Sequence, residues 1–182
     1  MEKHAAMRSS EFSSQTCSVA RSLEVVGEWW TLLVIREAFF GTRRFSDFAT
    51  HLGIAKNVLS DRLAKLVEAG VLERKPVVGR GNPLDYALTP KGKDLFPAIV
   101  ALMQWGDRWL YGGERAPVRV LDRESGAEIA PMRVTTPEGR PLEANEVVLV
   151  PGPGADGALQ RRFGNNRNDS RRIRQETNLV KT

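Results

Sequence analysis

Residues 45–88 read F-S-D-F-A-T-H-L-G-I-A-K-N-V-L-S-D-R-L-A-K-L-V-E-A-G-V-L-E-R-K-P-V-V-G-R-G-N-P-L-D-Y-A-L. Apolar residues recur at helical spacing on both sides of a turn at Gly53, and Gly70 stands where a left-handed C-terminal cap is expected. Two helices joined by a short turn containing glycine are typical of a helix-turn-helix. After Gly70, β-prone residues flank the turn sequence G-R-G-N-P, which predicts a hairpin. The stretch therefore predicts a winged helix-turn-helix with Arg80 at the tip of its wing.

The second helix of this motif has an outward face suited to DNA. If Leu59, Leu63 and Leu66 point inward at about 100° per residue, Asn57 points outward. Side chains in the first turns of a recognition helix contact base edges, and Asn, Lys and Ser can each bond to bases or phosphates. The alternative is that these residues form only the solvated face of a packed helix. We predict that the following residues bind DNA: Arg43, Arg44, Lys56, Asn57, Ser60, Lys65 and Arg80.

Several motifs around this stretch resemble the HxlR-type winged helix-turn-helix transcriptional regulators. They are C-S-V-A-R-S-L-E-V-V-G-E-W-W at 17–30, R-R-F-S-D-F at 43–48 and Y-A-L-T-P-K-G at 86–92, in the order and spacing of that family. The resemblance covers residues 17–110. It implies a homodimeric regulator of transcription that binds double-stranded DNA, is often a repressor and often responds to redox or electrophilic stress. Trp29 departs from the family pattern, because relatives usually carry a basic residue there.

Composition and charge set limits on the class of protein. The chain has 182 residues, of which 41% are hydrophobic and 27% charged, as is ordinary for a soluble globular protein. Residues 158–182 hold seven basic and two acidic residues, which accounts for the whole net charge of +5, so residues 1–157 carry 20 of each. A single cysteine excludes an internal disulfide, and no signal peptide or membrane-spanning run is evident. We therefore expect a cytoplasmic protein without a membrane partner.

Changes in composition along the chain predict four segments. The fold class is expected to be mainly α with a small β-wing, an α+β arrangement. The segments are a flexible N-terminal arm (1–15), a winged helix-turn-helix domain for DNA binding and dimerisation (16–111), a small β-rich appendage (112–157) and a basic, disordered tail (158–182).

The appendage resembles a zinc ribbon that has lost its metal ligands. Its strands are predicted at 118–121, 128–135 and 147–150. The chelating positions fall at Ser125, Thr135 and Glu138, none of which is a thiolate, so we expect no zinc.

Two helices outside the central motif are predicted to form a homodimer contact. Thr89-Pro90 is a strong helix start, and the segment from there to residue 110 is rich in large apolar residues, with a bend or break expected at Pro97. Such a helix needs an apolar surface to cover it, either the core of its own chain or a second copy. The family resemblance favours the second copy. The predicted contact residues are Val19, Leu23, Ile99, Met103, Trp105 and Trp109.

Cys17 lies where the first helix is predicted to begin. Backbone N–H groups at a helix start favour the thiolate, which makes Cys17 a candidate sensor of oxidants or electrophiles. Its position also matches the sensing cysteine that the resemblance implies. The alternative is a small side chain that packs the dimer contact without reacting. A small-molecule effector is compatible with either role, but the sequence does not identify one.

Other functions are weighed against DNA binding. The two histidines, His4 and His51, belong to no nucleophile–base or metal-ligand pattern, and His51 is predicted to cap or pack its short helix, so no enzyme is expected. The sequence P-G-P-G-A-D-G at 151–157 matches G-x-G-x-x-G, but a proline interrupts it and no amphipathic helix is expected after it. No cofactor is therefore predicted. A winged-helix module that binds proteins and never binds DNA stays open as an alternative.

Overall fold

The computed structural model describes residues 15–76, 84–113 and 115–164. Within these ranges the elements are α1 (Ser18–Val26), α2 (Trp29–Phe39), α3 (Phe45–Leu52), α4 (Lys56–Glu68), β1 (Leu72–Pro76), β2 (Leu84–Leu88), α5 (Pro90–Lys93), α6 (Phe96–Leu110), a 3-10 turn (Ala144–Glu146) and α7 (Gly157–Phe163). The chain divides into two compact units. We call Ser22–Met132 the winged unit, and the described residues 15–21 and 133–164 the terminal unit. In the described ranges, every helix is too short or too polar to cross a lipid bilayer.

Helices α3 and α4 form the predicted helix-turn-helix. Gly53 ends α3 in the left-handed conformation, with φ of 61°, which a residue with a side chain rarely adopts. The side chains of Leu59, Leu63 and Leu66 are fully buried. The inward face of α4 is therefore the predicted one, and its opposite face points away from the core.

Strands β1 and β2 form the predicted wing. They pair antiparallel, with Leu72 opposite Leu88. On the other edge of β2, the backbone of Arg44 bridges to Asp85, and Tyr86 N donates to Arg43 O at 2.9 Å. This pairing ties the wing to the start of the helix-turn-helix. The predicted wing tip with Arg80 lies outside the described residues.

The segment after Thr89, predicted to bend or break at Pro97, is two helices, α5 and α6, and the break comes just before Phe96. Thr89 Oγ1 accepts a hydrogen bond from Gly92 N at 3.1 Å, which caps α5 as predicted. Pro97 lies in the first turn of α6, where its missing N–H costs nothing. Gly92 lets α5 approach the wing, because a Cβ at this position would lie 2.2 Å from Val71 O.

The core of the winged unit is built from α2, α3, α4, the base of the wing and α6. Ile99 is 4% exposed and belongs to this core, and Met103 packs against it. Ile99 is too deeply buried for the predicted contact with a second copy, whereas Met103 is half-buried and its contact stays a prediction. Helical spacing turns both side chains toward the core of their own chain, so they complete the core of the winged unit.

The zinc-ribbon-like appendage is not confirmed. Within residues 115–164, the three predicted strands reduce to single bridges between Leu121 and Glu128 and between Thr135 and Pro141. Each bridge flanks one of the turns that the sequence contains, and local hydrogen bonds close these turns, such as Ser125 N to Asp122 Oδ2 at 2.9 Å. Residues 147–150 are β-prone, but the structure does not form a strand there.

The boundary between the units also differs from the predicted one near residue 112. Gln104 on α6 uses both ends of its amide to bind a later segment: Nε2 donates to Ala130 O at 3.2 Å, and Oε1 accepts from Met132 N at 2.6 Å. These bonds join the first part of the predicted appendage to the winged unit. Nothing local in the sequence marks a partner 26 to 28 residues away.

Helix α7 begins at Gly157, the last residue of the glycine-rich stretch after which no helix was expected, and continues into the segment predicted as a disordered tail. Asp156 caps it, since its Oδ1 accepts from Leu159 N at 2.9 Å and its Oδ2 accepts from Thr16 Oγ1 at 2.6 Å. The prediction missed this cap because Asp156 stands among glycines. The rest of the predicted tail, residues 165–182, and residues 1–14 of the predicted arm lie outside the described residues.

Candidate nucleic-acid interface

The first two turns of α4 present an open polar surface. Lys56, Asn57 and Ser60 are all exposed. Among the described residues, none of these three side chains makes a hydrogen bond or ion pair with another group. Their donors and acceptors are therefore available to a partner, as a face that reads base edges requires.

Lys65, farther along α4, is engaged within the chain. Its Nζ lies 3.3 Å from Glu28 Oε1 and 3.3 Å from Asp61 Oδ2. Arg62 bonds to the same two carboxylates. Two cations are thus matched by two anions. Lys65 therefore has less free charge to offer a phosphate than Lys56.

Glu28 holds the start of α2 beside α4. Burial raises the pKa of its carboxyl, but the hydrogen bonds from Arg62 and Lys65 outweigh this and leave that pKa below its ordinary value. The carboxylate is consequently ionised at neutral pH. Although Glu28 is the N-cap residue of α2, its side chain makes no capping hydrogen bond. Its role is to join two helices that are more than thirty residues apart in sequence.

The basic pair predicted to contact phosphate divides into two roles. Arg43 Nη1 donates to Ala38 O at 2.7 Å and to Thr42 O at 3.0 Å. Its guanidinium is therefore bound to backbone carbonyl groups at and just after the C-terminal end of α2. Arg44 is exposed at the N-cap position of α3. Of the two, Arg44 is the one whose charge is open to solvent.

A buried carboxylate joins α2 to the helix-turn-helix. Glu37 is 6% exposed, and it accepts hydrogen bonds from Arg36 Nη2 at 2.9 Å and Thr42 Oγ1 at 3.0 Å. His51 Nδ1 lies 3.1 Å from its Oε2. Burial raises the pKa of Glu37, but the hydrogen bonds from these three side chains outweigh burial and lower it. His51 thus joins α3 to the C-terminal part of α2 through Glu37.

Two basic residues on β1 lie on the described part of the wing and were not predicted as site residues. The guanidinium of Arg74 lies 5.8 Å from the centre of the Tyr86 ring, and Lys75 pairs with Glu73 at 2.9 Å. The run E-R-K-P is visible in the sequence. Because this run was predicted to lie in the first strand of the wing, its two basic residues could have been identified as candidate DNA contacts.

Helix α6 exposes an apolar face opposite to the one that fills the core. Leu102, Trp105 and Trp109 are 53%, 58% and 67% exposed, and Leu23 of α1 is 43% exposed. Large apolar side chains that are adjacent and open to solvent are typical of interaction surfaces. The predicted contact residue Val19 is also exposed.

Residues 25–114 match the HxlR-like helix-turn-helix family model. An uncharacterized HTH-type transcriptional regulator of Mycobacterium tuberculosis, Rv3095, is 47% identical over 142 residues, which cover 78% of this chain and 90% of that protein. The chain belongs to the HxlR-like helix-turn-helix family. Its relative Mb3122 of Mycobacterium bovis, also an uncharacterized HTH-type transcriptional regulator, matches to the same extent.

Solved structures similar to this HxlR-like chain have the same overall fold. PA1607, described as a candidate transcription factor, is 37% identical with a TM-score of 0.72, over 78% of this chain and 99% of that one. PA1374 of Pseudomonas aeruginosa, a second candidate transcription factor, is 38% identical with a TM-score of 0.56, over 80% and 99%. The 142 residues aligned with the mycobacterial proteins exceed the family match at 25–114. The similarity is therefore not confined to the helix-turn-helix.

Cys17 of this HxlR-like chain is exposed and immediately precedes α1. Its carbonyl accepts the first helical bond, from Arg21 N at 3.0 Å. Within the terminal unit it lines an open groove of about 670 Å³ together with Thr16, Gly152 and Leu159. A reagent from solvent can reach the sulfur at this position.

Sequence reasoning missed two residues that the fold attaches to α4 of this HxlR-like chain. Glu28 gave no signal, because its partners on α4 are distant in sequence. Trp29 is noted above only as a departure from the family pattern, and the structure leaves it 92% exposed. An aromatic residue at the start of a helix that is bound to α4 is a feature only the tertiary structure reveals.

Proposed function

We propose that this HxlR-like chain is a sequence-specific DNA-binding regulator of transcription whose helix α4 enters the major groove. The observation that carries the proposal is the free polar surface of Lys56, Asn57 and Ser60 on a helix whose other face is fully buried. Asn can bond adenine through both ends of its amide, Lys can reach guanine or phosphate, and Ser can bond either. The rigid attachment of α4 holds these groups in register.

Phosphate contacts come from residues around α4. Arg44 at the start of α3 and Arg74 on β1 are exposed cations that can supply this charge, and Arg80 of the predicted wing tip is proposed as a further contact. Such contacts fix the orientation of a protein on the duplex and add affinity for any sequence. Arg43 is assigned to the fold in this scheme, and Lys65 is a weaker contact because two carboxylates already engage it.

We propose a homodimer with two-fold symmetry whose contact uses the exposed face of α6 and Leu23 of α1. Two indoles and a leucine on one face of a helix, open to solvent in the isolated chain, support this contact. Gly106 lies among them with nothing within 4 Å of an added Cβ, so a second helix has room to approach. In a symmetric dimer, two α4 helices about 34 Å apart would bind successive major grooves of an inverted repeat.

The effect on transcription is proposed to be repression, on the basis of the family resemblance. A reporter placed behind the bound promoter should be more active in cells that lack the regulator.

A response to oxidants or electrophiles through Cys17 is proposed because the thiol is exposed and lies at the start of α1.

The decisive experiment is recovery of genomic DNA fragments bound by the purified full-length protein, followed by gel shifts with the enriched sequences. We expect a small set of fragments that share an inverted repeat, bound with a strong dependence on salt concentration. If no fragment is enriched over input DNA, the winged-helix module that binds only proteins becomes the better description.

The dimer is tested by sedimentation equilibrium at micromolar protein concentration. We expect twice the chain mass of 20.2 kDa. Trp105→Asp should shift the protein to the monomer because it places a charge in the apolar contact, whereas Val134→Asp, at another exposed apolar residue, should not. A wild-type monomer at these concentrations would contradict the proposed dimer.

A further inference from the structure

Trp29 is almost fully exposed to solvent, although it is a large aromatic residue and makes no contribution to the core. It is the first residue of α2 and is 92% accessible, whereas its neighbour Trp30 packs against the core. Trp30 thus anchors this end of α2 without help from Trp29. An indole left in water keeps a large apolar surface hydrated, and such surfaces are typical of binding sites.

The ion pairs of Glu28 place Trp29 beside the proposed DNA-reading helix. Glu28 precedes Trp29 directly, and its carboxylate accepts hydrogen bonds from Arg62 and Lys65 of α4. The start of α2 is therefore fixed against the middle of α4. We expect a duplex bound by α4 to pass beside Trp29, because the start of α2 is held next to α4.

We propose that Trp29 packs against the sugar–phosphate backbone of DNA at the edge of the major groove that α4 enters. The apolar face of the indole covers a deoxyribose, and the indole N–H donates a hydrogen bond to a phosphate oxygen. This contact rests on the proposed function, because it requires α4 to lie in the groove. The hydrogen-bonding groups are complementary, because the indole has one donor and no acceptor, whereas a phosphate oxygen can only accept.

The charges around Trp29 distinguish this contact from an ordinary basic one. Arg62 and Lys65, the cations of α4 that Glu28 binds, are matched by Glu28 and Asp61. The patch therefore offers the backbone an apolar surface and one N–H donor instead of free positive charge. Because no counterion is released when a neutral group binds phosphate, the contact adds affinity without adding to the salt dependence.

The test measures binding of wild type, Trp29→Ala and Trp29→Phe to an enriched genomic duplex and to a scrambled duplex over a range of salt concentrations. Trp29→Ala should weaken binding to both duplexes by about fivefold to tenfold, as loss of one hydrogen bond and its packing implies. The slope of log affinity against log salt should not change. Trp29→Phe should fall between, since it keeps a ring and loses the donor. Phe40→Ala, at the exposed other end of α2, should bind like wild type.

The remaining outcomes each overturn the inference in a recognisable way. If wild type and Trp29→Ala bind DNA equally, Trp29 does not touch the backbone, while the proposed function stands. A flatter salt slope in Trp29→Ala would show that Trp29 acts through a cation. A Trp29→Ala monomer beside a wild-type dimer in sedimentation would place Trp29 against a second copy. If wild type binds no DNA at all, the proposed function falls and this contact falls with it.

Discussion

His51 Nδ1 lies 3.1 Å from Glu37 Oε2 and joins helix α3 to helix α2 at the entrance to the helix-turn-helix. Thr42 donates its hydroxyl proton to the same carboxylate oxygen at 3.0 Å. A carboxylate can only accept, so the imidazole must donate through Nδ1–H. One buried anion therefore fixes the position of α3, and through it the orientation of α4.

The stability of the protein should decrease in acid partly through Glu37. Its pKa is lowered in the folded chain from the ordinary 4.5, so the ionised group stabilises the fold fully above pH 4.5. That contribution is lost as the pH falls through the lower, folded value. Glu37→Gln should cost about 1–3 kcal/mol at pH 7 and reduce the acid dependence. Urea unfolding at pH 7 and at pH 3.5 measures both effects.

The control for this prediction is Glu68→Gln, which changes an exposed carboxyl on α4. It should leave the free energy of unfolding and its acid dependence close to those of wild type. An acid dependence in Glu37→Gln as steep as in wild type would mean that other groups, such as Glu28, account for it.

Gly92→Ala should destabilise the winged unit. The added Cβ would lie 2.2 Å from Val71 O, so α5 must move away from the base of the wing. We expect a loss of about 1–3 kcal/mol, typical of overpacking, measured by urea unfolding. Gly152→Ala is the matched change, since its Cβ meets nothing within 4 Å. Equal stability of the two variants would refute the tight contact between α5 and Val71.

Asn57→Ala should reduce discrimination between sequences more than it reduces affinity in general. Loss of a bidentate contact to one base costs about 1–3 kcal/mol on the specific site, while binding to a scrambled duplex should hardly change. Titration of both duplexes at one salt concentration measures the difference. Glu68→Ala, near the far end of the same helix, should retain full discrimination. Wild-type discrimination in Asn57→Ala would remove this residue from the reading face.

Arg44→Ala should weaken DNA binding, whereas Arg43→Ala should reduce the stability of the fold. Arg44→Ala should lower affinity for every sequence and reduce the salt slope by about one, with an unchanged melting temperature. Arg80→Ala on the wing should behave in the same way. Arg43→Ala should instead lower the melting temperature, because its guanidinium bonds Ala38 O and Thr42 O. Identical behaviour of Arg43→Ala and Arg44→Ala would disprove this division of roles.

Cys17→Ser should leave operator affinity intact and abolish any response to diamide or methylglyoxal. The thiol is the only one in the chain and is exposed, so an adduct must form with a small thiol, with the reagent or with Cys17 of a second copy. Gel shifts of wild type and variant before and after treatment test this. A wild-type complex that ignores both reagents would leave Cys17 with a packing role alone.

The sequence by itself determined the winged helix-turn-helix, because its signals are local. Gly53 ends α3, Thr89 and Pro90 begin α5, and the leucines of α4 repeat at helical spacing. Each of these features depends on neighbours within a few residues, where backbone conformation and side-chain spacing act directly. The outward position of Lys56 and Asn57 follows from the same spacing.

Only the tertiary structure decided which of the predicted site residues remain free. Arg43 and Lys65 have the charge expected of DNA contacts, but the fold gives them partners at Ala38 O and at Glu28. Ile99 and Trp105 were both predicted contact residues, but Ile99 lies on the side of α6 that is buried in the core and Trp105 lies on the exposed side. These outcomes depend on contacts between elements distant in the chain, which spacing along one helix cannot encode. The same holds for Asp156, whose bond to Thr16 spans 140 residues and helps to stabilise α7.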